Sequence, residues 1–259
     1  GFFELQTLYD TLLKYNNTTH YNEFFVTAIL TSEGQFRGLA AMNMTTGEFT
    51  LIRGKALIIC TGGGGTLYGF TTYSQTVTGD GMALAYRAGL PLEDMEFLQF
   101  HPTGLVPSGI LITEACRGEG GYLRNSKGER FMEKYAPNKM ELAPRDLISR
   151  SEMTEIEEGR GFKGPGGLDY IHLDLTHLGA DRINEALPLI REVCMEFNDL
   201  EPIDEPIPCR PVAHYSMGGV ECDINGATRI KGIWTAGEAA CSSLHGANRL
   251  GSNSTGECL

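Results

Sequence analysis

The sequence predicts a mixed α/β (α+β) fold, an open-sheet α/β domain that carries a β-meander and is interrupted by an inserted α+β domain. Three observations predict it. Ala56-Leu-Ile-Ile-Cys60 is a short continuous apolar run that ends in Thr61-Gly-Gly-Gly-Gly65. Such a run reads as a buried strand, and glycines let its end turn sharply beside a ligand at the carboxyl edge of an open sheet. The stretches 24–30, 36–44 and 49–53 are apolar and separated by short glycine-bearing gaps, the pattern of an antiparallel meander. Residues 105–212 have a different texture, with helical segments, a Gly/Pro-rich loop and a proline-rich run.

The elements follow in order. Leu5, Leu8 and Leu12 recur at helical spacing, which predicts an amphipathic helix over 2–15. The meander and the 56–60 strand come next, then a helix over 82–88 behind Thr78-Gly-Asp80-Gly81. Phe97-Leu-Gln-Phe100 reads as a strand with His101 at its end. Helical segments are predicted around 113–118, 143–158 and 180–198, with a loop at 159–167 and the run Glu205–Pro211 behind them. Residues 218–223 and 232–238 return to short strands and glycine turns. The expected division is 1–104 and 213–259 for one domain, with 105–212 inserted in it.

Composition narrows the function. Hydrophobic residues make up 41% and charged residues 21%, as in ordinary globular chains. A net charge of −12 argues against nucleic acid and anionic membrane surfaces as general partners, so an anionic ligand would need a local cationic pocket. The seven cysteines form no C-x-x-C pair, and an odd number suits a reducing compartment. His172 and His177 lack metal-ligand spacing, no metal site is expected, and no apolar run reaches membrane-spanning length.

Five segments combine charged or polar residues with little local structural reason for them. They are His101-Pro-Thr-Gly104, Thr113-Glu114-Ala-Cys-Arg117, Pro144-Arg145-Asp146, His214-Tyr-Ser-Met-Gly-Gly219, and the run from His245 through Arg249 to Ser254. Arginine offers a planar fork that fits a carboxylate, and two such clamps with a proton-carrying group suit a dicarboxylate. Bland readings stand beside these: a structural histidine at 101, a surface i,i+3 ion pair for Glu114 and Arg117, and a tight turn with a solvated arginine at 249. No G-x-S-x-G or Walker A loop occurs, which disfavours acyl and phosphoryl transfer.

In this order the segments resemble the flavoprotein subunit of succinate dehydrogenase and fumarate reductase. The resemblance also rests on Ala41-Met-Asn-Met44, Thr61-Gly-Gly, Thr78-Gly-Asp-Gly81, Gly128-Glu-Arg-Phe-Met132 and Gly237-Glu238. It implies a partial, Rossmann-like FAD-binding domain with an inserted capping domain, and FAD-dependent interconversion of succinate and fumarate by hydride transfer at flavin N5. His214 and Arg249 would hold one carboxylate, and His101 and Thr113 with Glu114 the other. Arg145 would carry the proton, fed through Glu114 and Arg117. From residue chemistry alone Glu114 or a histidine is the better acid, since arginine's pKa lies above 12. Thr61, Gly62, Gly63, Asp80, Glu238, Arg249, Ser252 and Ser254 would contact FAD.

The family's N-terminal strand and G-x-G-x-x-G turn do not occur before Thr61, and the later helical domain is missing. The chain is therefore expected to be a central fragment of an FAD-dependent parent enzyme, inactive alone. The resemblance further implies an iron–sulfur subunit, membrane anchors, and a peripheral location on the cytoplasmic or matrix side of an energy-transducing membrane. L-aspartate oxidase is the closest alternative, although Leu250-Gly-Ser and Met217-Gly-Gly favour succinate and fumarate. A folded fragment with no catalytic activity is the other.

Overall fold

The computed structural model describes residues 2–258 of the 259-residue chain. Helix α1 (Phe2–Leu12) is shorter than the predicted 2–15, and the polar run Asn16–Thr19 follows it. Leu5 and Leu8, on its apolar face, are exposed. Strands β1 (Phe24–Ser32), β2 (Gln35–Asn43) and β3 (Phe49–Arg53) form the expected antiparallel meander. Glu33 and Gly34 close its first hairpin, both with positive φ (54° and 70°), the two-residue turn whose twist matches the strands.

Strand β4 (Leu57–Ile59) differs from the fully buried strand the sequence predicts. It pairs in parallel with β11 (Ile233–Thr235), and the smaller cluster covers one of its faces: Ile59 is buried in that cluster while Ile58, on the other face, is 63% exposed. Helix α2 (Asp80–Arg87) packs its amino end on the turn after β4, since a Cβ at Gly81 would fall 1.9 Å from Thr61 Oγ1. Strand β5 (Leu92–Glu93) lies antiparallel to β10 (Gly219–Glu221), which runs parallel to β12 (Ala240–Cys241).

The longest sheet joins β6 (Leu98–Leu105), β9 (Ile207–Ser216), β8 (Ile171–Asp174) and β7 (Tyr122–Arg124), in that antiparallel order. Two corrections concern it. His101 lies inside β6, not at its end. The proline-rich run around 205–211, which carries no strand signal, enters the interior strand β9. Proline has no N–H for a ladder, which normally keeps it at an edge. Here the register jumps from His101↔Val212 to Gly104↔Arg210. Pro211 on one strand and Pro102 on the other both fall in that gap, where no ladder bond is needed.

Helices α3 (Ala115–Gly118), α4 (Met132–Tyr135) and α5 (Arg145–Glu155) cover this sheet. The segment predicted over 113–118 is thus a single turn. The one predicted over 180–198 breaks into α6 (Gly179–Ala186) and α7 (Pro188–Asn198), because Pro188 cannot continue a helix but suits the first turn of a new one. Helix α8 (Ser254–Cys258) ends the described chain.

Two hydrophobic clusters result. One is built from Leu105, Ile112, Leu123, Met132, Ile148, Ile171, Leu173 and Ile207 among others, between the four-stranded sheet and its helices. The other joins Phe36, Ile59, Met82, Ala85, Leu90, Val220 and Ile233. Strands β6 and β9 carry the chain from one to the other, and the polar segments cluster along them. Among the described residues no helix is long and apolar enough to cross a membrane.

Candidate functional site

Side chains two residues apart on a strand share a face. On β6 that places Gln99, His101 and Thr103 together, all buried. Thr103 donates its N–H to His101 Nδ1 (3.2 Å) and its hydroxyl to the Ile112 carbonyl (2.7 Å). With Nδ1 accepting, a neutral His101 carries its proton on Nε2. Burial, then the neighbouring His214, Arg145, Arg117 and Arg249, hold its pKa well below the usual histidine range. His101 is therefore a neutral donor at neutral pH.

His214 on β9 meets the His101 ring edge-on, with centroids 5.1 Å apart. Its Nε2 accepts from Arg249 Nη2 (3.1 Å), which leaves Nδ1–H to donate to Thr72 Oγ1 (2.9 Å). Burial, then Arg249 and Arg145, lower its pKa to about 4. Arg249 is itself buried; its guanidinium lies 4.3 Å from the centre of the Tyr215 ring, and its Nε has no hydrogen-bond partner.

Arg145 begins α5 directly after Pro144, which caps the helix. Its Nε and Nη2 both donate to Glu114 Oε2 (2.9 and 2.8 Å), and Nη1 donates to Gln99 Oε1 (3.0 Å). Gln99 uses its other end to donate to the Arg249 carbonyl (2.6 Å) and to Asn248 Oδ1 (2.8 Å). One buried amide thus joins the two arginine-bearing segments. Arg117 is not the surface residue of the bland reading: its side chain is fully buried, 3.8 Å from Glu114, with Nη1 donating to the Glu141 carbonyl (2.6 Å). Burial would raise the Glu114 pKa, but the Arg145 hydrogen bond and the charges of Arg117, Arg145 and Arg249 hold it below the ordinary value. Three guanidiniums thus surround one ionised carboxylate, an excess of positive charge in a chain of net charge −12.

The structure therefore brings together His101, Glu114, Arg117, Arg145, His214 and Arg249. The Thr113 hydroxyl instead accepts from the Ala115 N–H (3.3 Å) beside them. His245 is bonded to Glu257 (2.6 Å) on α8 and reaches this group through the Tyr215 ring, which it meets edge-on.

A second group forms where the parallel strands β4 and β11 end. Gly62 has φ +72°, and a Cβ at Gly63 would fall 2.6 Å from Glu238 Oε1. Glu238 accepts from the Ser216 N–H (2.7 Å) and the Tyr73 hydroxyl, and burial raises its pKa. Thr61 packs on Gly81, and Asp80 accepts from Thr78 Oγ1 (2.6 Å) in the first turn of α2. Ser254 Oγ is 3.5 Å from Arg249 Nη1, which ties this side to the first group. Ser252 is exposed, in the left-handed backbone region (φ 68°).

Sequence reasoning missed Gln99, Thr103, Thr72 and Tyr215. The alternation Gln99–His101–Thr103 was the available signal, since three polar residues at a spacing of two within apolar sequence mark a polar face. Thr72 and Tyr215 carry no comparable signal.

Comparison with known proteins is consistent over the whole chain. A family described as an FAD binding domain matches residues 1–255. The fumarate reductase flavoprotein subunit of Mycobacterium tuberculosis (strain H37Rv) is 49% identical over 100% of this chain and 46% of its own length. The mitochondrial succinate dehydrogenase flavoprotein subunit of Oryza sativa subsp. japonica is 47% identical over 98% of this chain and 42% of its own length. A structure of E. coli quinol fumarate reductase superposes with a TM-score of 0.93 at 46% identity, covering 98% of this chain and 45% of that one. The chain spans less than half the length of these relatives.

Proposed function

The chain belongs to the FAD-binding domain family, as a homologue of fumarate reductase and succinate dehydrogenase flavoprotein subunits, and on that basis we propose that its site interconverts succinate and fumarate. The observation that carries this reading is the crowding of Arg145, Arg249 and Arg117 around Glu114, with Arg249 Nε buried and unpartnered. A buried, unpaired cationic edge is costly, and a dicarboxylate relieves it at two points.

Arg249 holds one carboxylate, and His214, whose Nε2 accepts from Arg249 Nη2 and whose tautomer Thr72 fixes, sets the position of that guanidinium. His101, donating from Nε2, and the Thr113 hydroxyl hold the other, with Glu114 beside them fixing Arg145. Neutral His101 adds a hydrogen bond without adding charge. Arg145 delivers or accepts the proton, and Glu114, bonded to it and close to Arg117, exchanges that proton inward. An amino-substituted dicarboxylate such as aspartate fits less well, because Glu114, the one carboxylate among the clamp residues, is already engaged by arginine.

The residues after β4 and β11 fit FAD. The close approach of Gly63 to Glu238 leaves no room for a side chain, and the buried Glu238 carboxyl suits a sugar-like hydroxyl. Thr61, Gly62, Gly63, Asp80, Glu238, Arg249, Ser252 and Ser254 would hold it. Bound FAD supplies the redox chemistry, exchanging a hydride with the substrate. Residues 1–104 and 213–259 would form the FAD-binding part, and 105–212 a capping domain. An iron–sulfur subunit and membrane anchors are the proposed partners, with the protein peripheral on the cytoplasmic or matrix side. The test is succinate turnover with a dye acceptor by the complete FAD-loaded polypeptide that carries this chain. Turnover on succinate supports the reading, and its absence contradicts it.

A further inference from the structure

Gly251 has no backbone reason to be glycine. Its φ lies outside the left-handed region, and a Cβ there would meet no backbone atom at close range. What that Cβ would meet is the catalytic cluster: Arg145 Nη2 at 2.8 Å, Arg145 Cζ at 3.6 Å and Glu114 Oε2 at 3.6 Å. A real Cβ does not stand 2.8 Å from a guanidinium nitrogen, so any side chain at 251 displaces Arg145. The displaced atom is Nη2, which donates to Glu114 Oε2 at 2.8 Å. Among the described residues Arg145 is otherwise tied through Nε to the same oxygen and through Nη1 to Gln99, and its outer edge occupies the space a Gly251 Cβ would take.

We infer that Gly251 is a positioning residue, the bare backbone surface against which Arg145 is set for proton transfer. The inference rests on the succinate and fumarate reading above and adds to it the element that fixes where the proton carrier stands. Glu114 and Gln99 fix Arg145 from two sides by hydrogen bonds, and Gly251 fixes it on the third by contact alone. A methyl group at 251 tilts the guanidinium without removing its charge. Substrate binding through Arg249, set by His214, is then kept, while proton delivery suffers. Misplacement of a reacting group by about 1 Å costs on the order of 10²-fold in rate.

The test compares Gly251→Ala with Gly256→Ala in the complete FAD-loaded polypeptide. Gly256 lies on α8, and a Cβ there meets nothing within 4 Å, so it controls for alanine near the end of this chain. The expected result for Gly251→Ala is a fall in kcat on the order of 10²-fold with KM and the flavin spectrum unchanged. The acidic limb of the pH profile should also move upward, because Glu114 loses part of its Arg145 bond. Gly256→Ala should match the unsubstituted protein in all three. Gly251→Ala with unchanged kcat and pH profile would overturn the inference, as would a rise in KM with kcat intact. If the unsubstituted protein does not turn over succinate, it is the functional reading that fails. In that case a crystal structure of Gly251→Ala still decides the inference: Arg145 displaced from Glu114 upholds it, and Arg145 unmoved overturns it.

Discussion

The two halves of the site are built differently. The proposed substrate side (His101, Glu114, Arg117, Arg145) hangs from the larger hydrophobic cluster, which among the described residues has eighteen buried members against eight in the smaller one. There, direct bonds of 2.6–3.0 Å link Arg249, Gln99, Arg145 and Glu114. The cofactor side (Thr61 to Gly63, Asp80, Glu238, Ser252, Ser254) is set by glycine turns and by one short two-stranded sheet with an open edge. The proposed clamp is thus pre-organised by its own packing. The cofactor side has close approaches but little packing of its own, so FAD would complete it.

The largest expected effect breaks the substrate side at its centre. Arg145→Gln should lower turnover on the order of 10³-fold while the bound-flavin absorbance persists. Retained turnover would remove Arg145 from its role. Next is the link between the jaws. Gln99→Leu orphans Arg145 Nη1 and frees the Arg249 carbonyl, and should cost on the order of 10-fold to 10²-fold in kcat/KM. Steady-state kinetics checks it, and an unchanged value would show that the two arginines stand independently.

Stability sharpens the same contrast. Glu152 is fully buried on α5, both its oxygens lack partners, and burial raises its pKa well above the usual carboxylate value. Glu152→Met should therefore stabilise the larger cluster by about 1–3 kcal/mol at neutral pH, read from chemical denaturation. Destabilisation would mean that the carboxyl is bonded in solution. The pH dependence is the gentlest probe. His214 takes up a proton at about pH 4 in the fold but near 6.5 when unfolded, so the unfolded chain protonates first. The stability held above about pH 6.5 is lost progressively as pH falls toward 4, and His101 acts in the same direction. A His214→Asn variant should show a flatter denaturation profile across that window; an identical profile would contradict the assignment.

Much of this was legible in the sequence because local rules carried it. Glycine in the gaps of an apolar pattern announced the meander, and Pro144 announced the start of α5. The conjunction of histidines and arginines at glycine turns pointed to a carboxylate clamp. What local rules could not carry was set by distant partners. Strand β9 admits Pro211 because the register gap against β6 leaves no ladder bond to make there. Arg117 is buried because α3 tucks its one turn beneath the carbonyl of Glu141. Gln99 looks like an ordinary strand residue until the chain returns, some 150 positions later, to place Asn248 and Arg249 against it.

The central claim is that the clamp selects an unsubstituted dicarboxylate and acts on it through FAD. Its most direct test is turnover of succinate and of L-aspartate, measured side by side on the complete FAD-loaded polypeptide with a dye acceptor. The account predicts turnover on succinate and none on aspartate. Turnover on aspartate, or none on succinate, would contradict it.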